Sequence, residues 1–153
     1  MDRLGRCAHN VFAMVLLLAA ASTTAAAQRG SLSATMVAHR TSPTSDTVTL
    51  HIAVRMTPGW HIGAARPGMI GVPTELTWRL PVGWRLVSSQ WPLPTPAVVG
   101  QDTVFEYRAP FAVDTKLVTE GPHRTGPVQA VIAYGICREV CIPGRLTLEY
   151  VVR

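Results

Sequence analysis

The sequence predicts an all-β protein, and within that class an antiparallel β-sandwich. Apolar and polar residues alternate with a period of two in several segments, which is the pattern of strands with one buried face. Pro-Gly and related turn signals separate these segments at near-regular intervals. After the first 27 residues no segment shows the 3.6-residue period of an amphipathic helix. Short strands at this spacing fit a sandwich of immunoglobulin-like size.

The clearest predicted strand covers residues 47–56, where Val48, Leu50 and Ile52 alternate with Thr49 and His51. Seven further segments repeat this period, with turn signals between them. The other predicted strands are 32–38, 76–80, 84–88, 103–108, 111–118, 128–136 and 146–152, and the turns stand at 58–59, 67–68, 81–83, 121–122, 126–127 and 143–144.

The N-terminal residues 1–27 have the pattern of a secretory signal peptide. Arg3 and Arg6 supply a positive segment, and residues 11–21 form an apolar run too short to span a bilayer. The small residues 25–27 then fit a signal peptidase site, which predicts a mature chain that begins at Gln28. An uncleaved anchor is the alternative, but the short apolar run ending in small residues favours cleavage. We therefore expect a secreted, periplasmic protein.

The remaining residues 28–153 suffice for one domain with a hydrophobic core. They contain no second apolar stretch of membrane-spanning length, so we expect a soluble mature domain and a monomer. They keep 12 basic and 8 acidic side chains, a net charge of +4, without any run of Lys or Arg. Nucleic-acid binding therefore has no basic patch to support it, although the excess could favour acidic protein partners.

Cysteines carry the strongest functional signal. Cys7 lies within the predicted signal peptide, so only Cys137 and Cys141 reach an oxidising compartment, where a disulfide can persist. Three intervening residues suit a tight hairpin loop, which places the two cysteines opposite each other across the ladder. Even-numbered positions from Val128 to Ile136 have the core-facing pattern, so both odd-numbered cysteines are expected to point away from the core.

The spacing alone leaves two interpretations of this pair open. As a structural crosslink it is poorly placed, because closing a five-residue loop stabilises by only about 2 kcal/mol, against roughly 4 kcal/mol for a loop spanning most of a domain. A labile, accessible bond is what thiol-disulfide exchange needs. Many secreted domains nevertheless carry one small structural disulfide.

The segment 91–100 departs from the strand pattern. Pro92, Pro94 and Pro96 exclude a central strand, since proline cannot donate to the ladder. We expect an extended surface loop, which is either a plain connector or a lid over a site.

Other candidate residues give weaker signals. Trp60 and His61 follow a turn and would modulate the cysteine pair if they lie beside it, because an imidazolium favours a thiolate. Glu139, between the cysteines, would disfavour the thiolate. A solvated loop histidine is the plainer interpretation of His61.

Soft ligands also suggest copper handling, because thiolate, thioether and imidazole groups suit Cu(I). The histidines have no tight ligand spacing, and Met36 and Met56 fit the core pattern better. The candidates are His39, His51, His61 and His123 with Met36, Met56 and Met69. We expect no metal and no cofactor other than the cysteine pair itself.

Several ordered motifs between residues 58 and 152 resemble one family, the N-terminal periplasmic domain of the thiol:disulfide interchange protein DsbD. They cover nearly the whole predicted domain. The motifs are Pro58-Gly59-Trp60-His61, Gly71-Val72-Pro73-Thr74 before Leu76-Thr77-Trp78, Leu80-Pro81-Val82-Gly83-Trp84, Gln90-Trp91-Pro92, and Tyr134-Gly135-Ile136-Cys137 through Cys141-Ile142-Pro143.

The resemblance implies an immunoglobulin-like sandwich that accepts electrons from a thioredoxin-like donor and reduces disulfides of periplasmic proteins, as a protein-disulfide reductase module. Cys141 would form the mixed disulfide with partners, and Cys137 would resolve it. Because the sequence shows neither a membrane segment nor a thioredoxin-like domain after the motifs, we expect a separate protein as donor. The alternative is a non-enzymatic binding domain with a structural disulfide.

The resemblance also implies a cap loop that shields the disulfide until a partner docks. The proline-rich stretch occupies the matching place in the order of motifs, and Val98 and Val99 are the best candidates to cover the sulfur atoms. The expected cap residues are Pro94, Thr95, Pro96, Ala97, Val98, Val99 and Gly100.

Overall fold

A computed structural model describes residues 25–42, 45–121 and 125–152. These residues form eleven strands and no helix, so none of them belongs to a helix that could cross a membrane. The strands are β1 (Ala25–Arg29), β2 (Leu32–His39), β3 (Thr47–Met56), β4 (His61–Gly63), β5 (Glu75–Arg79), β6 (Trp84–Gln90), β7 (Thr95–Val99), β8 (Asp102–Tyr107), β9 (Phe111–Thr119), β10 (Gly126–Cys137) and β11 (Cys141–Val152).

The strands form two antiparallel sheets. The first has the order β1-β2-β3-β9-β6, and the second has the order β11-β10-β4-β8-β7, with β5 also pairing with β10. The predicted all-β class and the immunoglobulin-like antiparallel β-sandwich are confirmed.

The core lies between the inner faces of the two sheets. Leu50 and Ile52 on β3, Leu117 on β9 and Val128 and Leu148 on the second sheet are each at most 1% exposed. Their alternation with more exposed neighbours follows the period of two in the sequence. All eight predicted strands are present, with ends that differ by a few residues.

Three strands were not predicted. β4 has only three residues, too few for a periodic signal, and β1 covers residues 25–29, of which three were assigned to the signal peptide. β7 corrects the expectation of a loop: residues 95–99 pair with β8 at the edge of the second sheet. An edge strand tolerates Pro96 because its missing N–H need not enter a ladder.

Some expectations fall outside the described residues. The described residues exclude residues 1–24, which make up most of the expected signal peptide. They also exclude His123, one of the copper candidates. Cleavage before Gln28 therefore remains a prediction.

Candidate functional site

The two cysteines lie where β10 turns into β11. Cys137 ends β10, Cys141 begins β11, and they are direct partners in the antiparallel register. Their sulfur atoms form a disulfide, and their Cα atoms are 4.0 Å apart. The Arg138 amide donates a hydrogen bond to the Val140 carbonyl oxygen at 3.3 Å, which closes the three-residue loop between the strands. The hairpin holds the sulfur atoms together in a loop of the expected length.

The two sulfur-bearing residues differ in exposure. Cys141 is exposed, whereas Cys137 is only 8% exposed. The core-facing positions of β10 are even-numbered as predicted, since Val128, Ile132 and Ile136 are buried. Pointing away from these positions does not expose Cys137, however, because other segments cover that face of β10.

The covering segment, residues 64–74, crosses the outer face of β4 and β10, where Val72 approaches Gly63 and Gly135, and it lines a cleft together with Cys137. The Thr74 hydroxyl donates to the Gly63 carbonyl oxygen at 2.6 Å, and the Thr74 amide donates to the Ala64 carbonyl oxygen at 3.1 Å. A Cβ atom on Gly63 would lie 2.0 Å from the Val72 carbonyl oxygen, and one on Gly135 would lie 2.7 Å from Val72 Cγ1. Both glycines are therefore required for this close approach of the chain.

A cleft of about 150 Å³ opens beside the disulfide. Its walls come from the covering segment, from β8 and from the end of β7, and both cysteines line it. Most of its lining is apolar, with His61 and Glu106 as polar exceptions. The lining residues are His61, Gly63, Pro67, Ile70, Gly71, Val72, Val99, Val104, Phe105, Glu106, Cys137 and Cys141.

His61 is one of the two polar side chains, other than the cysteines, that line this cleft. It is the direct partner of Cys137 in the β4–β10 register, so it lies beside the disulfide. Its Nε2 atom is 3.2 Å from Glu106 Oε2, and the Glu106 side chain is only 5% exposed. Arg108 Nε donates to the other carboxylate oxygen of Glu106. The buried carboxylate therefore has two cationic or hydrogen-bonding partners, as a buried charge requires.

The other two expected modulators lie on the hairpin loop. The Arg138 guanidinium carbon is 5.9 Å from the centroid of the Trp60 ring, within the range of a cation–π contact. The Glu139 side chain is 88% exposed and lies 4.0 Å from the Arg138 guanidinium. Trp60 thus supports the loop that joins the cysteines, and Glu139 extends into solvent.

The expected cap residues reach the site unequally. Val99 lines the cleft, whereas Val98 is 77% exposed. Gly100 has a φ of 63° and opens the two-residue turn that joins β7 to β8, a position that favours glycine.

The Tyr107 hydroxyl donates to the Pro92 carbonyl oxygen at 3.0 Å, which fixes the segment before β7. Burial raises the pKa of Tyr107 above its usual value of 10.0.

The copper candidates are separated in the fold. Met36 is fully buried, Met69 is 95% exposed, and His51 bonds Asp114 on the first sheet. Within ranges 25–42, 45–121 and 125–152, no three His, Cys, Asp or Glu side chains are grouped as metal ligands would be.

Sequence reasoning missed Glu106, Arg108 and Val72. Glu106 pairs with Gly63 on the face of the sheet that carries the cleft, not on the core face, so the alternation along β8 did not identify it. The signal for Val72 was absent, since its segment has no periodic pattern.

Fold and site together define a class: a β-sandwich domain with one disulfide at a hairpin tip, beside an apolar cleft. The family model described as "Thiol:disulfide interchange protein DsbD, N-terminal" matches residues 30–152. The chain therefore belongs to that family of thiol-disulfide interchange domains, which confirms the resemblance found in the sequence.

Solved structures share the fold. The N-terminal periplasmic domain of ScsB from Proteus mirabilis is similar with a TM-score of 0.61 and 20% identity over 79% of this chain, which spans 46% of that one. The GAE domain of GGA2p from Saccharomyces cerevisiae is similar with a TM-score of 0.53 and 9% identity, over 86% of this chain and 98% of that one. The search of curated proteins gave no match.

Proposed function

We propose that this domain is a periplasmic thiol-disulfide relay, which accepts electrons from a thioredoxin-like protein and reduces disulfides of partner proteins. The observation that carries the proposal is the asymmetry of the pair: one sulfur-bearing residue is exposed and its partner is buried beside a cleft. Membership in the interchange family supports the same function. The disulfide is the only redox group that the proposal requires.

Cys141 is the exchanging residue in this proposal. A donor thiolate attacks the Cys141 sulfur, the bond between the two cysteine sulfurs breaks, and its electron pair stays on Cys137. The second donor thiol then attacks the donor sulfur of the mixed disulfide and releases the Cys141 thiolate. Two electrons and two protons have moved from the donor dithiol to the domain, which passes them to an acceptor disulfide by the reverse sequence.

The surface around the disulfide supports docking of a protein partner. Val140 and Ile142 on the hairpin, Met69 and Ile70 on the covering segment, and Val98 on β7 are each at least 49% exposed. Several exposed apolar side chains around a reactive bond are typical of a protein-binding surface. We propose that residues 94–100 form a cap, in which Val99 restricts access to the disulfide until a partner displaces it.

A trapping experiment tests the roles of the two cysteines. In Cys137→Ser, Cys141 is activated as a thionitrobenzoate adduct and mixed with a thioredoxin-like protein that retains only its attacking cysteine. We expect a mixed disulfide on a non-reducing gel. Cys141→Ser, treated identically, should give little adduct because Cys137 is buried. Equal trapping by both variants would refute the role assignment.

The reduction potential of the pair separates a relay from a structural disulfide. Structural disulfides in secreted proteins generally lie below about −300 mV, whereas exchange-active ones lie above this value. We expect a value above it, measured by equilibration with glutathione or a stronger dithiol buffer. A value far below it would leave a binding domain with a structural crosslink as the better description.

A further inference from the structure

We propose that His61, held by Glu106 and Arg108, gives and takes the proton of Cys137 during exchange. This inference rests on the proposed function of the same site and adds residues to it. His61 and Cys137 are direct cross-strand partners, and such pairs have Cβ atoms roughly 4.5–5.5 Å apart. Both side chains also line the cleft. The imidazole is therefore placed beside the buried sulfur and not on the exposed side of Cys141.

The cleft restricts which groups can handle this proton. Of its described lining residues, only His61, Glu106 and, once reduced, the two cysteines have ionisable side chains. Arg108 follows the end of β8 and contacts the Glu106 carboxylate, and Arg138 and Glu139 lie on the exposed hairpin loop. Cys137 is 8% exposed, so bulk water has restricted access to its sulfur. A neighbouring imidazole is the group best placed to replace water as proton donor and acceptor.

Glu106 and Arg108 act as positioning residues for His61. The carboxylate is 3.2 Å from Nε2 of the imidazole and receives a hydrogen bond from Arg108 on its other oxygen. This arrangement fixes the orientation of the imidazole ring. A carboxylate that orients a histidine beside a sulfur or oxygen atom is a recurring arrangement in proton-transfer sites.

The proton follows the electrons in both directions. When a donor thiolate attacks Cys141, the pair of electrons left on the Cys137 sulfur takes a proton from His61, which is then recharged from solvent. When the reduced domain has formed a mixed disulfide with an acceptor, neutral His61 removes the Cys137 proton. The Cys137 thiolate then attacks the Cys141 sulfur and releases the acceptor thiolate.

Reduction of the oxidised domain by dithiothreitol tests this inference without any protein partner. The rate constant is expressed per dithiothreitol thiolate and measured from pH 5 to pH 9, with the pH range chosen around the usual histidine titration. In the wild type we expect it to fall as His61 loses its proton. In His61→Gln this rate constant should be about tenfold lower at low pH and should not fall as pH rises. The effect is smaller than that of most acid catalysts because a thiolate is already a good leaving group.

The first sheet supplies a matched control. His51 Nδ1 bonds Asp114 Oδ1 at 2.7 Å, a second histidine–carboxylate pair remote from the cleft residues. His51→Gln and Asp114→Asn should retain the wild-type profile. Glu106→Gln should reduce the pH-dependent part of the rate, whereas a purely structural role would change the rate equally at every pH.

Two outcomes would overturn the inference: an unchanged pH profile in His61→Gln, or a pH-independent change of rate. If that variant folds poorly, as judged by circular dichroism, His61→Asn repeats the test. A reduction potential far below that of exchange-active disulfides, together with the expected His61 effect, would refute the relay and leave the role of His61 in proton transfer to Cys137. The opposite combination would remove His61 and leave the relay.

Discussion

The β10–β11 hairpin has two parts that are built differently, which we term its body and its tip. In the body, residues 126–133 with 145–152, burial on β10 alternates, and Val128, Ala130 and Ile132 face the core. In the tip, residues 134–137 with 141–144, all four β10 residues are buried. One continuous ladder therefore passes from a sheet with one covered face to a strand covered on both faces.

The neighbours of β10 explain this change. β5 pairs with residues 129–133, and β4 pairs with residues 136–137. The chain between β4 and β5 crosses the tip, where Val72 packs over Gly135. The apolar side chains that the body buries therefore contribute to the stability of the domain. The tip instead places a buried cysteine beside an exposed one. Variants in the two parts should accordingly separate stability from redox chemistry.

The largest effect on stability is expected in the body. Leu148 is 1% exposed, so Leu148→Ala loses buried apolar area and leaves a cavity, at a cost of about 2–5 kcal/mol. Urea unfolding measures this cost. The rate of disulfide reduction by dithiothreitol, measured below the unfolding transition, should stay at the wild-type value. A large rate change would contradict the separation of body and tip.

Gly135→Ala should affect both properties, because it acts in the tip. The new Cβ atom would lie 2.7 Å from Val72 Cγ1, so the covering segment must shift, at a cost of about 1–3 kcal/mol. Displacing that segment should also expose Cys137 and speed its reduction by small thiols. Val72→Ala alone is the control, because it removes apolar volume from the covering segment without introducing a steric clash at Gly135. Unchanged urea stability of Gly135→Ala would refute the tight approach.

Replacing both cysteines with alanine should cost no more than about 2 kcal/mol, because the disulfide closes a loop of only five residues. The domain should remain folded by circular dichroism. A loss comparable to that of Leu148→Ala would make the disulfide a structural element of the tip.

The alternation in the sequence was sufficient to predict the body but not the tip. The alternation with a period of two predicted the core face of β10 correctly, because the burial of each residue there depends only on the face of the sheet that it occupies. Burial of Gly135 in the tip depends on Val72, which is distant in sequence and lies in an aperiodic segment. Glu106 contacts His61 only once β4 and β8 are adjacent. Such long-range contacts leave little trace in a local pattern.

Tyr107 lies on β8, and its hydroxyl donates to the Pro92 carbonyl oxygen. Tyr107→Phe should cost about 1 kcal/mol, the usual net value of one hydrogen bond. Burial raises the pKa of this tyrosine above 10.0 in the folded state, so the unfolded chain loses the proton first as pH rises. The contribution of neutral Tyr107 to the free energy of unfolding is therefore complete below about pH 10 and declines as pH rises above that value. Urea unfolding should show this alkaline decline in the wild type, and the phenylalanine variant should lack the tyrosine's share of it.

The smallest change in stability, and the sharpest test of the cap, comes from Val98 and Val99. The two valines are adjacent on β7, but only Val99 lines the cleft with the disulfide, while Val98 is 77% exposed. Truncating either at this partly exposed edge should cost less than about 1 kcal/mol.

Val99→Ala should nevertheless speed reduction by glutathione several-fold, because less apolar surface restricts the approach to the sulfur atoms. Val98→Ala is the matched control and should keep the wild-type rate. Replacing both with glycine should be faster still, since it also loosens the strand. Equal rates in Val99→Ala and the wild type would remove the cap from the proposed mechanism, and equal acceleration by both alanine variants would indicate general loosening of the β7–β8 hairpin.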